Sequence, residues 1–371
     1  MPSNTAAWLT TNQTTQLEIK PAPYPSPTQN EIIVKNGAVA INPVDCALQD
    51  LGNLLFPWIK YPFILGSDLA GEVVEVGSLV SKFKVGDRVL GLAVGADPDS
   101  NNAADSAFQH YTAVRENLAS HIPERLSYEE AAVLPLCLAT AASALFGEDS
   151  LALQLPTVPP RAPTGKAVLI WGGSTSVGSN AIQLAVAAGY EVITTASPKN
   201  FDYVKRLGAS KVFDYKKKTV VREMIHVLEN KTMAGAMAIG EGSLFPCMDI
   251  LYRSTGIKFV ANISAAGPPK SNRHGFIGSF PACFNSMCWN ISLWTKTRLK
   301  GVQQKFIWGS GLKTTELADV IFGDFLPKAL QAQQYIIAPE PCILGKGLEY
   351  VQTGLDALRE GVSARKLVVS L

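Results

Sequence analysis

The feature that most limits what this chain can become is a strand, turn, helix and strand pattern in its middle. Lys166–Trp171 is a continuous apolar run of strand length. After it come Gly172-Gly173-Ser174-Thr175-Ser176-Val177-Gly178, a turn of small residues, then helical periodicity over 180–188 that stops at Gly189, and then a second β-rich run, Glu191–Ala196. Two strands joined by one helix within roughly 30 residues make a parallel, right-handed βαβ unit. The alternation continues through a helix over 199–207, a strand over 211–213 and a helix over Val220–Leu228, which predicts an α/β fold with a doubly wound parallel sheet.

Small residues in such a turn let the backbone approach a pyrophosphate, and the helix that follows offers unpaired amides and partial positive charge. Gly173 and Gly178 fit the first and third glycines of a G-x-G-x-x-G fingerprint, with Thr175 at the second. The turn therefore predicts dinucleotide binding. An NAD site would place Asp or Glu at the end of the second strand, roughly 20 residues past the glycines, to bind the ribose 2′-hydroxyl. This chain reads Thr195-Ala196-Ser197-Pro198-Lys199 there. No carboxylate repels a 2′-phosphate, and Ser197 and Lys199 can bind one, so NADPH is the expected cofactor.

The N-terminal third reads as short strands, over Glu31–Ala40, 71–76 and 88–93, with an irregular polar loop over 95–106. Ser127 and Glu130 form a capping box that opens helix, and 139–146 continues it. The Pro-rich stretch 155–163 reads as an inserted loop. Helices are expected over 324–334 and 347–360, and a final strand over 366–370 is expected to return to an earlier sheet.

At 47% hydrophobic and 17% charged, with net charge +2, the chain is globular and carries no long-range field for nucleic acid or anionic membrane, so a small molecule is the expected partner. No run of about 18 apolar residues occurs, and no basic-then-apolar leader opens the sequence. Six scattered cysteines without a C-x-x-C pair point to reduced thiols and a cytoplasmic protein. The four histidines, at 110, 121, 226 and 274, have no metal spacing, and no G-x-S-x-G elbow supports hydrolysis.

Further motifs carry a family likeness. Asn42-Pro43-Val44-Asp45, then Gly66-Ser67-Asp68-Leu69-Ala70-Gly71-Glu72-Val73-Val74-Glu75-Val76-Gly77, then Val85-Gly86-Asp87-Arg88-Val89, together with the Gly172 turn, resemble the medium-chain dehydrogenase/reductase superfamily, in its zinc-free quinone oxidoreductase and enoyl reductase branch. The strings Ser197-Pro198-Lys199-Asn200-Phe201-Asp202, Val212-Phe213-Asp214-Tyr215 and Gly361-Val362-Ser363-Ala364-Arg365-Lys366-Leu367 are similar to those of fungal members, including trans-acting enoyl reductases of polyketide pathways. The resemblance implies a GroES-like β domain from 1–137 and 310–371, a Rossmann domain over 138–309, and a cofactor in the cleft between them. It implies that Ser197, Pro198, Lys199, Asn200 and Tyr215 hold the 2′-phosphate end and that Ser174, Thr175, Ser176 and Val177 meet the pyrophosphate. It further implies that Val44, Asp45, Cys46, Ala47, Thr140, Asn262, Ile263, Val362 and Ser363 surround the nicotinamide half.

The positions that would match zinc ligands are Asn42, Ser67 and Cys137, which cannot supply the usual three-ligand site, and 95–111 lacks the four cysteines of a structural zinc lobe. Without a metal, oxyanion stabilisation falls to hydrogen-bond donors, which favours conjugate reduction of an enone, quinone or enoyl thioester, since charge spreads as an enolate. A polyketide acyl carrier is an implied partner, and the protein is expected to be a monomer or homodimer. Relatives carry an aromatic and a lysine after N-P-V-D; this chain has Cys46-Ala47, so either the Cys46 thiol donates weakly or solvent or another donor protonates the product while Thr140 and the cofactor ribose help to orient it. The alternative is a redox-silent NADPH-binding protein, a sensor, partner subunit or redox-neutral enzyme. The segment 263–294, with Phe276, Phe280, Phe284 and Trp289, is either an apolar pocket wall or core.

Overall fold

The structure is a computed structural model that describes residues 2–264 and 297–371; Phe276, Phe280, Phe284 and Trp289 lie outside the described residues. The chain divides into two compact units. One comprises Met1–Ala142, Thr175–Asn180 and Gly309–Leu371; the other comprises Ser143–Ser174 and Ala181–Trp308.

The first unit is built on a seven-stranded sheet in the order Glu340–Lys346, Arg365–Ser370, Glu31–Ala40, Asp68–Val76, Arg88–Leu92, Ala119–His121, with Tyr111–Arg115 also paired to Glu31–Ala40. A smaller sheet joins Glu18–Ala22, Asn4–Leu9 and Phe63–Ile64. Glu31–Ala40 has strand partners on both sides and is almost wholly buried, as its apolar content foretold. The final strand returns as expected: it runs antiparallel to Glu31–Ala40, with Val368 opposite Ala40. Leu9, Ile32, Phe56, Ile64, Leu69 and Phe108 fill the core of this unit, each contributing about 1.5–3 kcal/mol by leaving water.

A helix the strand-rich pattern did not suggest, Pro43–Leu51, sits in this unit. Its start has a local cause. Asn42 is extended (φ −124°, ψ 156°), Pro43 takes a first-turn position that needs no amide donor, and Asp45 Oδ2 accepts the Asn42 amide at 2.7 Å. The Ser127 box forms as read, with Glu130 N donating to Ser127 Oγ (3.1 Å) and Ser127 N to Glu130 Oε2 (2.9 Å), and helix follows over Tyr128–Ala131 and Pro135–Phe146. Tyr128–Phe146 is the one stretch among the described residues long and apolar enough to cross a membrane by length and composition; most of it is buried inside the protein.

The second unit holds a parallel sheet in the order Lys211–Asp214, Glu191–Ala196, Lys166–Trp171, Thr232–Ala238, Phe259–Asn262, Gln303–Phe306, with Thr255–Gly256 beside Thr232–Ala238. Every pairing in it is parallel. The strand order reverses at Lys166–Trp171, whose neighbours lead in opposite directions along the chain; in an open sheet of this kind, ligands bind outside the carboxyl ends of the strands at that reversal. The Pro-rich stretch has no helix or strand, and Arg161 holds it through its amide to Ala187 O (3.0 Å) and its Nε to Leu155 O (2.6 Å).

Candidate functional site

The glycines of the turn are needed by their surroundings. A Cβ on Gly173 would lie 2.1 Å from Thr194 Oγ1 and 3.0 Å from Ile182 Cδ1, and Gly172 adopts φ +91° with Ile239 O 2.8 Å from any added Cβ. Gly172 N donates to Thr195 Oγ1 (3.0 Å) and Gly173 N to Thr195 O (2.9 Å), so the turn leans on the neighbouring strand. The helix begins at Ser176, four residues earlier than its periodicity suggested. Thr175 explains this. Its Oγ1 accepts from Gly178 N at 3.0 Å, which makes it the residue that caps the helix, and that role accounts for a threonine where the fingerprint has glycine. Ser174, Thr175, Ser176 and Val177 are all half-buried at the start of that helix.

Along the same carboxyl edge, Ala196 stands opposite Asp214 in parallel register, so residues 197 and 215 leave the sheet side by side. Ser197 Oγ lies 3.4 Å from the Tyr215 hydroxyl. Pro198, Lys199 and Asn200 form a single tight turn before the helix Phe201–Arg206, with Asn200 N bonded to Ser197 O at 2.8 Å and Asn200 buried. Lys199 and Tyr215 point outward, and among the described residues Lys199 makes no ion pair. Lys216 places its ammonium 5.9 Å from the Tyr215 ring centre. Asn262 and Ile263 end the strand Phe259–Asn262 on this edge, Asn262 Oδ1 taking the Ser264 amide (3.2 Å) and Ile263 N bonding Ala238 O (2.9 Å).

The first unit gathers polar groups of another kind. Asp68, fully buried, accepts the Leu136 amide at 2.6 Å through Oδ1 and the Asn42 carboxamide at 2.9 Å through Oδ2, and forms an ion pair of 2.9 Å with the buried Lys366 ammonium. Lys366 also donates to Asn42 Oδ1. Burial works to discharge this lysine, yet the adjacent Asp68 carboxylate raises its pKa above the ordinary value. Asp45 sits beside the pair, and burial pushes its carboxyl up to about 7 against the pull of the Asn42 and Gly66 amides. Cys137 Sγ bonds the Val133 and Leu134 carbonyls, both at 3.1 Å, and accepts from Asn180 Nδ2 at 3.1 Å; burial pushes its thiol up to about 12. Asn180 in turn bonds Ser176 O (2.9 Å) and Ala338 O (3.1 Å) and takes the Tyr335 hydroxyl at 2.6 Å.

The candidate donor Cys46 and the candidate orienting residue Thr140 both give their hydrogens to backbone carbonyls. Cys46 faces the helix Tyr350–Glu360, donates to Leu355 O (3.5 Å) and packs in the core; burial pushes its thiol up to about 12. It is a core thiol whose hydrogen is taken by a backbone carbonyl. Thr140, on the helix Pro135–Phe146, spends its hydrogen on Leu136 O at 2.7 Å and is nearly buried, with Gly309 packed so closely that a Cβ there would meet Thr140 Oγ1 at 2.2 Å. Val44 and Ala47 are half-buried on the helix Pro43–Leu51, whereas Val362 and Ser363 are exposed between the last helix and strand.

A zinc ion does not suit the three matching positions. Asn42 is a neutral carboxamide already bonded to Asp68 and Lys366, Cys137 is held as a thiol by two carbonyls, and a buried ammonium stands on Asn42. Among the described residues no three His, Cys, Asp or Glu side chains group as a metal site. Asp68, Asn180, Tyr335 and Lys366 were not singled out by sequence reasoning as site residues. For Asp68 the signal was present in the Gly66-Ser67-Asp68 string, where a carboxylate opens the strand Asp68–Val76. A lysine in the apolar last strand was a similar signal.

Comparison with known proteins agrees with this architecture. The model of the alcohol dehydrogenase GroES-like domain matches residues 28–124, and that of the zinc-binding dehydrogenase matches 176–245. The chain is 52% identical over 371 residues to the dehydrogenase pigH of Monascus ruber, with all of both chains covered. It is 38% identical to the trans-enoyl reductase himH of Aspergillus japonicus, over 99% of this chain and 97% of that one. Among solved structures, the CurK enoyl reductase superposes with TM-score 0.74 at 19% identity, covering 100% of this chain and 99% of that one, a likeness of fold. The chain belongs to the medium-chain dehydrogenase/reductase superfamily of oxidoreductases, in its fungal enoyl reductase-like branch.

Proposed function

We propose that the protein is an NADPH-dependent, zinc-independent reductase of conjugated C=C bonds, taking an enoyl thioester, enone or quinone, and that its natural substrate is an acyl chain presented by a polyketide carrier. One observation carries the cofactor choice: Lys199 stands exposed and without an ion-pair partner among the described residues, at the end of a strand that offers Ser197 and, alongside it, Tyr215, with no carboxylate where a 2′-phosphate would sit. The glycine turn and the Thr175-capped helix start suit a pyrophosphate. Names of relatives such as the trans-enoyl reductase himH support the substrate class.

NADPH, when bound, supplies a hydride to the β-carbon of the substrate. Two electrons then reside on the enolate, and a proton must reach the α-carbon. Lys199, Ser197 and Tyr215 would bind and orient the adenosine end, and Ser174 to Val177 would bring backbone amides to the pyrophosphate. Because Thr140 and Cys46 donate their hydrogens to Leu136 O and Leu355 O, the proton comes from water in this scheme. The same observation favours the second reading, a nucleotide-binding protein without redox turnover.

Titration calorimetry with NADPH and NADH on the wild type and on Lys199→Ala, together with NADPH oxidation across a panel of enones, quinones and acyl thioesters, tests the reading. Loss of a charge-assisted bond of about 1.5–3 kcal/mol would weaken NADPH by roughly tenfold or more while sparing NADH. Equal losses for both would remove Lys199 from the site. Binding without oxidation across the panel would establish the second reading.

A further inference from the structure

We propose that Lys366 is the internal cation of the first unit's polar centre, a positioning residue whose fixed charge ties together the backbone segments expected around the nicotinamide half. Its ammonium pairs with Asp68 and bonds Asn42 Oδ1. Asp68 in turn holds the first free amides of the helix Pro135–Phe146 through Leu136 N, and Asn42 caps the helix Pro43–Leu51. One buried charge pair therefore links the segment with Val44 and Ala47, the helix with Cys137 and Thr140, and, through its own strand, the Val362–Ser363 connection. The positive charge stands on Asn42 and near Cys137, whose chemistry rejects a metal ion, and it neutralises a carboxylate that burial would otherwise make untenable. The titratable groups facing it are Asp68 from the central strand, Asp45 from the helix Pro43–Leu51 and Cys137 from the helix Pro135–Phe146. The tie from this centre to the nucleotide rests on the cofactor reading above; the charge role does not.

The test uses the full chain as Lys366→Met and as Lys366→Met with Asp68→Asn. Thermal unfolding is followed between about pH 6 and pH 9, and calorimetry measures NADPH and adenosine 2′,5′-bisphosphate, a probe lacking the nicotinamide. Without its cation, Asp68 is left as a buried carboxylate with no counter-charge, so Lys366→Met is expected to lose stability as pH rises. The double variant has no charge to bury, and the carboxamide introduced by Asp68→Asn can accept from the Leu136 amide and donate to Asn42, so it is expected to lose that slope. Lys366→Met should bind NADPH about tenfold more weakly while its affinity for the bisphosphate is unchanged. A wild-type pH profile for Lys366→Met, a double variant no less pH-sensitive than the single one, or equal loss for both ligands would overturn the proposal. If Lys366→Met does not fold, the double variant decides: recovery of folding supports the charge role and continued misfolding ends it. A wild type that binds neither ligand defeats the cofactor reading alone, because the pH slopes still decide what the lysine does.

Discussion

Gly173→Ala isolates the geometry of the nucleotide turn. The added methyl would sit 2.1 Å from Thr194 Oγ1 and 3.1 Å from Thr194 Cβ, inside the 3.4 Å at which ordinary contact begins. Thr194 cannot swing away cheaply, since it is fully buried and its hydroxyl donates to Ile170 O at 2.6 Å. On the other side, Ile182 Cδ1 is 3.0 Å from the new atom. Overpacking of this sort costs about 1–3 kcal/mol and breaking the Thr194 bond about 1 kcal/mol more, so a total of roughly 2–4 kcal/mol is expected. In a unit of this size that corresponds to a fall in melting temperature of about 5–15 °C, read by calorimetry or circular dichroism. Thr194→Ala removes the clashing oxygen, so the double variant should lose less than the sum of the single losses. Gly311→Ala, where nothing lies within 4 Å of the built Cβ, serves as the unstrained control and should hold or gain up to about 1 kcal/mol. A Gly173→Ala protein as stable as the control, or strictly additive effects with Thr194→Ala, would refute the steric argument.

Burial pushes the Cys46 and Cys137 thiols up to about 12, so residue-resolved alkylation at neutral pH should leave both unmodified in the folded protein while the half-buried Cys342 reacts ahead of them. Asp45 makes a pH prediction of definite sign. Its folded pKa of about 7 lies above the ordinary 3.8, so the native state binds the extra proton between these values and stability falls as pH rises through that window. Asp45→Asn, followed by denaturant unfolding from about pH 4 to pH 8, should flatten this decline, and a wild-type slope in the variant would count against the buried-acid assignment.

How much of this was legible depended on how local each cause is. Lys166–Trp171, Glu191–Ala196 and Val220–Leu228 form over the stretches read from periodicity, because burial on a doubly covered sheet imprints continuous apolar runs that turn residues then punctuate. The helix Pro43–Leu51 was also locally written, in an Asn, Pro and Asp start, but its short apolar face resembles the strands around it. The strand Glu18–Ala22 escaped notice because it is exposed and contains Pro21. The pairings within the polar centre were not legible. Lys366 finds Asn42 across 324 residues and Cys46 finds Leu355 across 309, and no window of sequence reports such partners. The same distance kept hidden that Cys46 turns toward a helix near the end of the chain, which no motif around residue 46 can signal.

The pairing of Glu31–Ala40 with Arg365–Ser370 has a consequence for synthesis. Glu31–Ala40 emerges from the ribosome well before its partner Arg365–Ser370, which lies more than 300 residues further along the chain. At about 5–20 residues per second, the wait between them is on the order of a quarter of a minute to a minute. The parallel-sheet unit, encoded in between, is free to condense during that interval, whereas the β-rich unit holds an unpaired hydrophobic edge until Arg365–Ser370 has been made, which is the period when a chaperone has something to protect.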